Sequence, residues 1–215
     1  MKYRILTLTL FVLLVSAQGL LHAYPSALNV VPTASILPAG TIQLGYESDG
    51  HSQPFADGRV QYLYSQIGIR DRLEVGVDLY DIGGAKEPAF NAKVLLLPEA
   101  KGTPALALGV MNVTKGTNPG TYLVGTKNIG RWGVHAGIEH QADQTWGLLG
   151  ANFAVNQKIS LLGDYQSGDG RQGTVGVYYA VTPALGVNVY YAKNNTDSSA
   201  DYLGLYVGYA FSAKK

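Results

Sequence analysis

The residues of this chain that could do chemistry are few, and their spacing does not match a catalytic or metal-binding motif. His135 and Glu139 lie four residues apart, which on a β-strand separates them by about 13 Å and prevents direct contact. Three histidines follow residue 23, there is no cysteine, and the spacing does not resemble that of zinc ligands. A nucleophilic serine would need a histidine in hydrogen-bond reach, and the sequence suggests no such pair. We therefore expect no catalytic residue, no metal and no cofactor.

A glycine-rich stretch has the spacing of a dinucleotide-binding loop, with Gly168, Gly170 and Gly173. Such a loop binds phosphate through backbone N–H groups at the start of a following helix. A strand-like alternation follows here instead. The stretch is therefore predicted to be a loop between two strands.

The elements that must position the polar residues are β-strands. In Leu73–Tyr80 apolar side chains occupy every second position, and Glu74, Gly76 and Asp78 stand between them. The same period of two recurs from Gly40 onward between clusters of Gly, Asn, Asp and Pro, without convincing helical periodicity. The twelve predicted strands are Thr41–Ser48, Arg59–Ile67, Leu73–Tyr80, Ala89–Leu97, Ala105–Val113, Thr121–Lys127, Trp132–His140, Thr145–Val155, Ile159–Gln166, Gly173–Val181, Leu185–Lys193 and Tyr202–Phe211.

The connections between these strands alternate in length. Tight turns such as residues 69–72 and 182–184 alternate with mostly longer, more polar loops such as residues 49–58 and 194–201. This pattern predicts an all-β, up-and-down antiparallel meander that closes into a barrel. Two closed architectures fit: a soluble ligand-binding barrel and a transmembrane barrel of the bacterial outer membrane.

The start of the chain has the pattern of a secretory signal peptide. Lys2 and Arg4 precede an apolar run, Ile5–Ala17, which is shorter than the roughly 20 residues of a membrane-spanning helix. Cleavage is expected after Ala23, with Gly19 as the alternative. The predicted organisation is a signal peptide at 1–23, a periplasmic lead-in at 24–39, the β-barrel at 40–211 and a tail at 212–215.

Charge and composition narrow the functional classes. Removing Lys2 and Arg4 from the 16 basic residues leaves 14, against 15 acidic residues, which gives no electrostatic reason to expect nucleic acid. Charged residues make up 14% of the chain, against about 25% in soluble domains. The exported chain therefore has an unusual surface for a soluble protein.

The polar face of the predicted strands is rich in glycine, as is expected where side chains converge inside a closed cylinder. A soluble outer face would instead use long charged side chains, because glycine weakens strands and covers nothing. The aliphatic face carries no mid-strand charge, and a Lys or Arg facing lipid would cost about 2–4 kcal/mol at the bilayer midplane. The parity of the second, fifth and eighth predicted strands is ambiguous. The predicted lumen-lining residues are Glu47, Glu74, Asp78, Lys93, Lys127, His135, Glu139, Asp164, Tyr178, Tyr190 and Tyr206.

Aromatic residues lie near the ends of the predicted outward rows. Amphipathic rings prefer the membrane–water interface, although tyrosine is also simply a good strand former. The predicted interface aromatics are Tyr46, Phe90, Trp132, Tyr165, Tyr191, Tyr209 and Phe211.

The last predicted strand, Tyr202–Phe211, resembles the C-terminal β-signal of bacterial outer-membrane proteins, although four residues follow the final aromatic. The stretches Pro32–Gly40 and Ile67–Tyr80 are similar to those of small porin and transporter-like outer-membrane barrels. The resemblance implies an outer-membrane location, contact with outer-membrane lipid, and assembly by the barrel-assembly machinery through the C-terminal strand. An envelope protein or polysaccharide is a possible further partner.

Three functions stay open at this point. Five acids against two bases in the predicted lumen favour a narrow channel for passive passage of small solutes or ions, with weak cation preference. The alternative is a non-conducting barrel with a structural, assembly or envelope-partner role, and a lipid-acting enzyme is a third. Eight strands leave a lumen that side chains can fill, and sixteen leave an open channel. Twelve strands therefore do not decide whether the lumen is open or filled.

Overall fold

The computed structural model describes residues 26–51, 59–80, 88–114 and 118–213. The predicted signal peptide at 1–23 lies outside these residues. The described chain is built from twelve strands. They are β1 (Thr41–Gly50), β2 (Val60–Arg70), β3 (Leu73–Tyr80), β4 (Ala89–Leu97), β5 (Ala105–Val113), β6 (Gly120–Ile129), β7 (Trp132–Gln141), β8 (Gln144–Ala154), β9 (Ile159–Gln166), β10 (Gln172–Ala180), β11 (Leu185–Asn194) and β12 (Tyr202–Ser212).

The strands form a closed antiparallel barrel. Each strand pairs with the next along the chain, and β1 pairs with β12 to complete the circle, from Thr41 opposite Ser212 to Gly50 opposite Leu203. The predicted all-β meander of twelve strands is confirmed. Closure leaves no unpaired edge strand, which is the requirement for a sheet that crosses lipid.

The two faces of each strand meet different surroundings. In β3, Glu74 and Asp78 are fully buried, whereas Leu79, on the opposite face of the same strand, is 41% exposed. Large aliphatic and aromatic side chains are exposed around the whole barrel, from Leu44 on β1 to Leu203 on β12. In strands with a clear alternation, such as β3, the apolar row therefore faces outward and the polar row faces inward.

None of the described residues forms a helix that is long and apolar enough to cross a membrane.

The interior of the barrel holds residues 26–39, here called the N-terminal segment. The segment folds back on itself in a small hairpin, in which Ala27 bridges Pro32 and the Thr33 N–H donates to the Ser26 carbonyl at 2.9 Å. Gly150 of the wall lies directly against the Leu28 side chain, where a Cβ atom would collide. The sequence predicts only a periplasmic lead-in at 24–39, whereas the described part, residues 26–39, lies inside the barrel.

One side of the interior is an apolar core between the N-terminal segment and the wall. Val31 and Ala34 of the segment pack against inward side chains of β5, β6 and β8. The wall residues of this core are Ala105, Ala107, Met111, Tyr122, Val124 and Leu148.

This core explains why the sequence does not show which residues of β5 and β8 face inward. Because it needs apolar side chains on the inner face, β5 and β8 are apolar on both faces and lack a clear alternation. In β6 the inward residues are Tyr122, Val124 and Thr126, all buried, which turns Lys127 to the other face. The prediction that Lys127 lines the lumen was wrong for this reason.

Candidate functional site: the barrel interior

Ten of the eleven predicted lumen residues lie on the inner face of the wall. Tyr178 is half-buried, with its hydroxyl against Gly186. The other nine are buried: Glu47, Glu74, Asp78, Lys93, His135, Glu139, Asp164, Tyr190 and Tyr206. These residues come from seven strands, so the barrel brings together side chains that are far apart in sequence.

Lys127 lies near the end of β6 and binds the turn between β4 and β5. Its Nζ atom is 3.1 Å from Glu99 Oε1 and 2.6 Å from the Ala100 carbonyl oxygen. Partial burial raises the pKa of the Glu99 carboxyl, but hydrogen bonds from Asn128 and the Lys127 ammonium together hold that pKa below its usual value. Lys127 thus stabilises a turn at the barrel rim.

Asp164 of β9 anchors the tip of the N-terminal segment. Its Oδ2 atom accepts the backbone N–H groups of Asn29, Val30 and Val31 at 2.9, 2.9 and 3.1 Å. The Thr174 hydroxyl of β10 donates to Oδ1. Three backbone N–H groups of the tip therefore converge on one oxygen of Asp164, which fixes the tip against the wall.

Glu74 of β3 anchors the two ends of the segment. Its carboxylate accepts the Ser26 hydroxyl at 3.0 Å and the Leu37 N–H at 2.9 Å. Lys93 of β4 lies 3.2 Å from the same carboxylate and also donates to the Thr33 carbonyl at 3.2 Å. This buried ion pair therefore joins the wall to the segment.

His135 of β7 belongs to a chain of hydrogen bonds. Its Nδ1 atom is 2.9 Å from the Thr126 hydroxyl, and its Nε2 atom is 3.0 Å from Asn152 Oδ1. The Ala34 N–H of the segment donates to the Thr126 hydroxyl at 2.8 Å. All contacts are satisfied when the Thr126 hydroxyl donates to Nδ1 and Nε2–H donates to Asn152, so this histidine holds the segment and the wall together.

Glu139 does not contact His135, in agreement with their four-residue separation. It pairs with Arg171 at 3.3 Å, and Gln166 donates to it at 3.3 Å. The Arg171 guanidinium also lies over the Trp146 ring, 3.5 Å from the ring centroid. Arg171 lies in the loop just before β10, so strand alternation gave no sign of its inward contact.

Glu47 of β1 lies at the centre of a tyrosine-rich group. The hydroxyl groups of Tyr64 and Tyr190 donate to its two oxygens at 2.5 and 2.6 Å. Tyr190 is also 3.1 Å from Asp49, which the sequence analysis missed because it ended the first strand at Ser48. Extending that strand by one residue would have placed Asp49 on the inner face, two positions after Glu47.

The interior acids differ in the charge of their partners. The ion pairs described in the interior join Glu74 to Lys93 and Glu139 to Arg171. Glu47, Asp78 and Asp164 instead accept hydrogen bonds from uncharged groups. The interior therefore carries an excess of carboxylate.

The predicted interface aromatics lie on the outer face of the barrel. Trp132 packs on Phe153 with ring centroids 4.7 Å apart, and the Tyr191 hydroxyl donates to Asp201 at 2.5 Å. The hydrogen bond from Tyr191 lowers the pKa of the Asp201 carboxyl, which lies in the loop before β12. Tyr46 is half-buried, and the exposed members are Phe90, Trp132, Tyr165, Tyr191, Tyr209 and Phe211. Their position at the lipid headgroups stays a prediction.

Within the described ranges, the structure contains no group of three or more His, Cys, Asp or Glu side chains that could hold a metal ion.

Several solved outer-membrane proteins share this architecture. The KdgM porin aligns with a TM-score of 0.54 at 13% identity, covering 79% of this chain and 98% of that one. The outer membrane protein Omp33 of Acinetobacter baumannii aligns at 0.54 and 12%, and the NanC porin at 0.52 and 8%, each covering 80% of this chain and 98% of its own. No protein-family model matches the sequence, and no curated protein is significantly similar to it. In fold, the chain is a closed twelve-stranded β-barrel similar to those of these solved outer-membrane proteins.

Proposed function

We propose that this chain is a narrow, porin-like channel for small cations, closed in the described conformation by its own N-terminal segment. The observation that carries the proposal is the position of residues 26–39 inside the barrel, where Asp164 and Glu74 hold them. The shared fold with solved porins supports a channel architecture. We treat the turn end of the barrel as periplasmic, which would put the longer loops outside the cell.

The contacts of the segment are of a kind that can be released. Single side chains on several strands hold the segment, among them Asp164, Glu74, Thr126, Lys93 and Thr174. The hydrogen-bond ladder that closes the wall runs between neighbouring strands and does not include the segment. The segment could therefore leave the lumen without breaking the barrel, and the carboxylates of its anchors would then line the path.

Cation preference follows from the interior charge. Carboxylates that line a narrow water-filled path favour cations and repel anions. A solved KdgM porin holds oligogalacturonate, which is an anion. We propose that this chain selects differently, because Glu47, Asp78 and Asp164 accept hydrogen bonds without an ion-paired base among the described residues.

The second candidate function is a non-conducting barrel with a structural, assembly or envelope-partner role. The burial of inward side chains favours it, since Glu74, Asp78 and Val124 are fully buried, as in a packed core. Contact with outer-membrane lipid, assembly through β12 and an envelope protein or polysaccharide partner belong to either candidate and remain proposals.

We propose no enzymatic role. The Thr126 hydroxyl next to His135 is buried and already accepts the Ala34 N–H, which leaves no room for a substrate. His140 pairs with Thr145 at 3.0 Å on the exposed outer side of a hairpin, without a third group to orient the imidazole among its described contacts.

Single-channel recording in planar bilayers tests the proposal. Wild type is expected to stay mostly closed, and Asp164→Ala to open more often because the tip of the segment loses its anchor. A potassium chloride gradient should then give a reversal potential on the cation side. The control is Asp143→Ala, which removes a carboxylate from an exposed hairpin turn and should behave as wild type. Folded wild type and Asp164→Ala that both fail to conduct would contradict the channel and favour the second candidate.

A further inference from the structure

Three buried polar atoms on the wall formed by β2 and β3 have no hydrogen-bond partner among the described residues. Gln66 is 3% exposed, and neither its Oε1 nor its Nε2 atom has a hydrogen-bond partner among the described residues. Asp78 is fully buried, and Asn91 donates a hydrogen bond to its Oδ2 atom. Its Oδ1 atom has no hydrogen-bond partner within the ranges that the structure describes. A buried polar group without a partner is destabilising, because folding has removed its hydrogen bonds to water. Three such atoms in one place indicate a site that is completed by something else.

The strand register brings these atoms together. Asp78 lies opposite Tyr64, and Gln66 lies opposite Gly76, so Asp78 and Gln66 are diagonal neighbours across β2 and β3. Diagonal neighbours in an antiparallel pair are about 7–8 Å apart and within reach of long side chains. The Gln66 stem lies over Gly76, where any Cβ atom would be 2.9 Å from Gln66 Cγ. The Gln66 side chain therefore leaves β2 on the side of β3, the strand that carries Asp78.

The charged residues around Asp78 and Gln66 favour a cation over an anion as the ligand. The Tyr64 hydroxyl, next to Asp78, is 2.5 Å from the Glu47 carboxylate. Lys93, the basic residue on neighbouring β4, is bound to Glu74 at 3.2 Å and to the Thr33 carbonyl. A second anion would be repelled here, whereas a cation would be attracted by Asp78 and Glu47 together.

We propose that Asp78 Oδ1 and Gln66 Oε1 bind a partly hydrated alkali cation. Carboxylate and amide oxygens are hard ligands that suit such ions, and two protein oxygens leave the rest of the shell to water. A water bound to the cation would also accept a hydrogen bond from Gln66 Nε2. A dedicated divalent site would need more carboxylates, and the described residues contain no group of three acidic, histidine or cysteine side chains that could form one. The site deepens the proposed function and rests on it, because it would be a resting place for a permeating cation beside the N-terminal segment.

Equilibrium binding of radioactive rubidium to the purified full chain in lipid nanodiscs tests the site. Wild type should bind rubidium saturably, with displacement by potassium but not by N-methyl-D-glucamine. Asp78→Asn should weaken binding about tenfold or more, which is 1.4 kcal/mol or more. Asp143→Asn, at the exposed hairpin turn, should bind as wild type.

A second variant covers the case in which Asp78→Asn does not fold. Gln66→Leu keeps a similar volume and removes both unpartnered amide atoms, so it should fold and bind rubidium more weakly. Saturable binding that is unchanged in both variants, or absent from folded wild type, overturns the site. Saturable binding without conductance would support the cation site and refute the channel. Conductance without saturable binding would support the channel and refute the cation site.

Discussion

Individual carboxylates of the interior are held in different ways, and the differences assign them different roles. Asp164 accepts three backbone N–H groups and a hydroxyl, and Glu74 is paired with Lys93. Both are well satisfied and contact the N-terminal segment, so they are anchors. Asp78 accepts the Asn91 amide through one oxygen and leaves the other without a described partner. It is therefore the acid best placed to meet a guest.

Adding one methyl group at Gly150 tests the contact between the N-terminal segment and the barrel wall. A Cβ atom at Gly150 would collide with the Leu28 side chain, so Gly150→Ala should push the tip of the segment away from the wall. We expect faster hydrogen exchange at Asn29–Val31 and a loss of stability of about 1–3 kcal/mol from overpacking. Amide exchange read by mass spectrometry measures the first effect and denaturant unfolding the second.

The control for that change is Gly102→Ala, at a turn where an added Cβ atom meets nothing within 4 Å. This variant should exchange and unfold as wild type. Equal exchange at the tip in both variants would show that the segment does not press against Gly150.

The outer faces of the strands can be tested by placing a charge on them. Leu149 lies in the middle of β8, is 58% exposed, and points away from the packed interior. If lipid surrounds the barrel, Leu149→Arg should reduce the free energy of unfolding from bilayers by about 2–4 kcal/mol, because a charge at the midplane is poorly solvated.

Denaturant unfolding from phospholipid vesicles measures that change. Gln144→Arg, at the exposed start of the same strand, is the matched control and should cost little, since the penalty falls toward the interface. A small effect of Leu149→Arg, equal to that of the control, would contradict a lipid-facing wall.

For the whole molecule, the sequence predicts the wall well and its contents poorly. Alternation in strands such as Leu73–Tyr80 depends only on neighbouring residues, so it revealed the barrel and most inward acids. The N-terminal segment is short and has no period, and its place inside the barrel depends on Asp164, more than 130 residues away. The error at Lys127 has the same origin, because the apolar inner face of β6 is understandable only once Val31 and Ala34 are known to pack against it.

The central claim is that the N-terminal segment closes a path through the barrel, and a reversible tether tests it most directly. The chain has no cysteine, and Asn29 Nδ2 lies 2.7 Å from Thr174 Oγ1, so Asn29→Cys with Thr174→Cys places one thiol at the tip and one on the facing wall for oxidation to a disulfide. Recordings before and after a reductant are made on one bilayer, with the link verified by mass spectrometry. We predict no conductance while the link is intact and channel openings after reduction. Equal conductance in both states, or none in either state of the folded protein, would contradict the account.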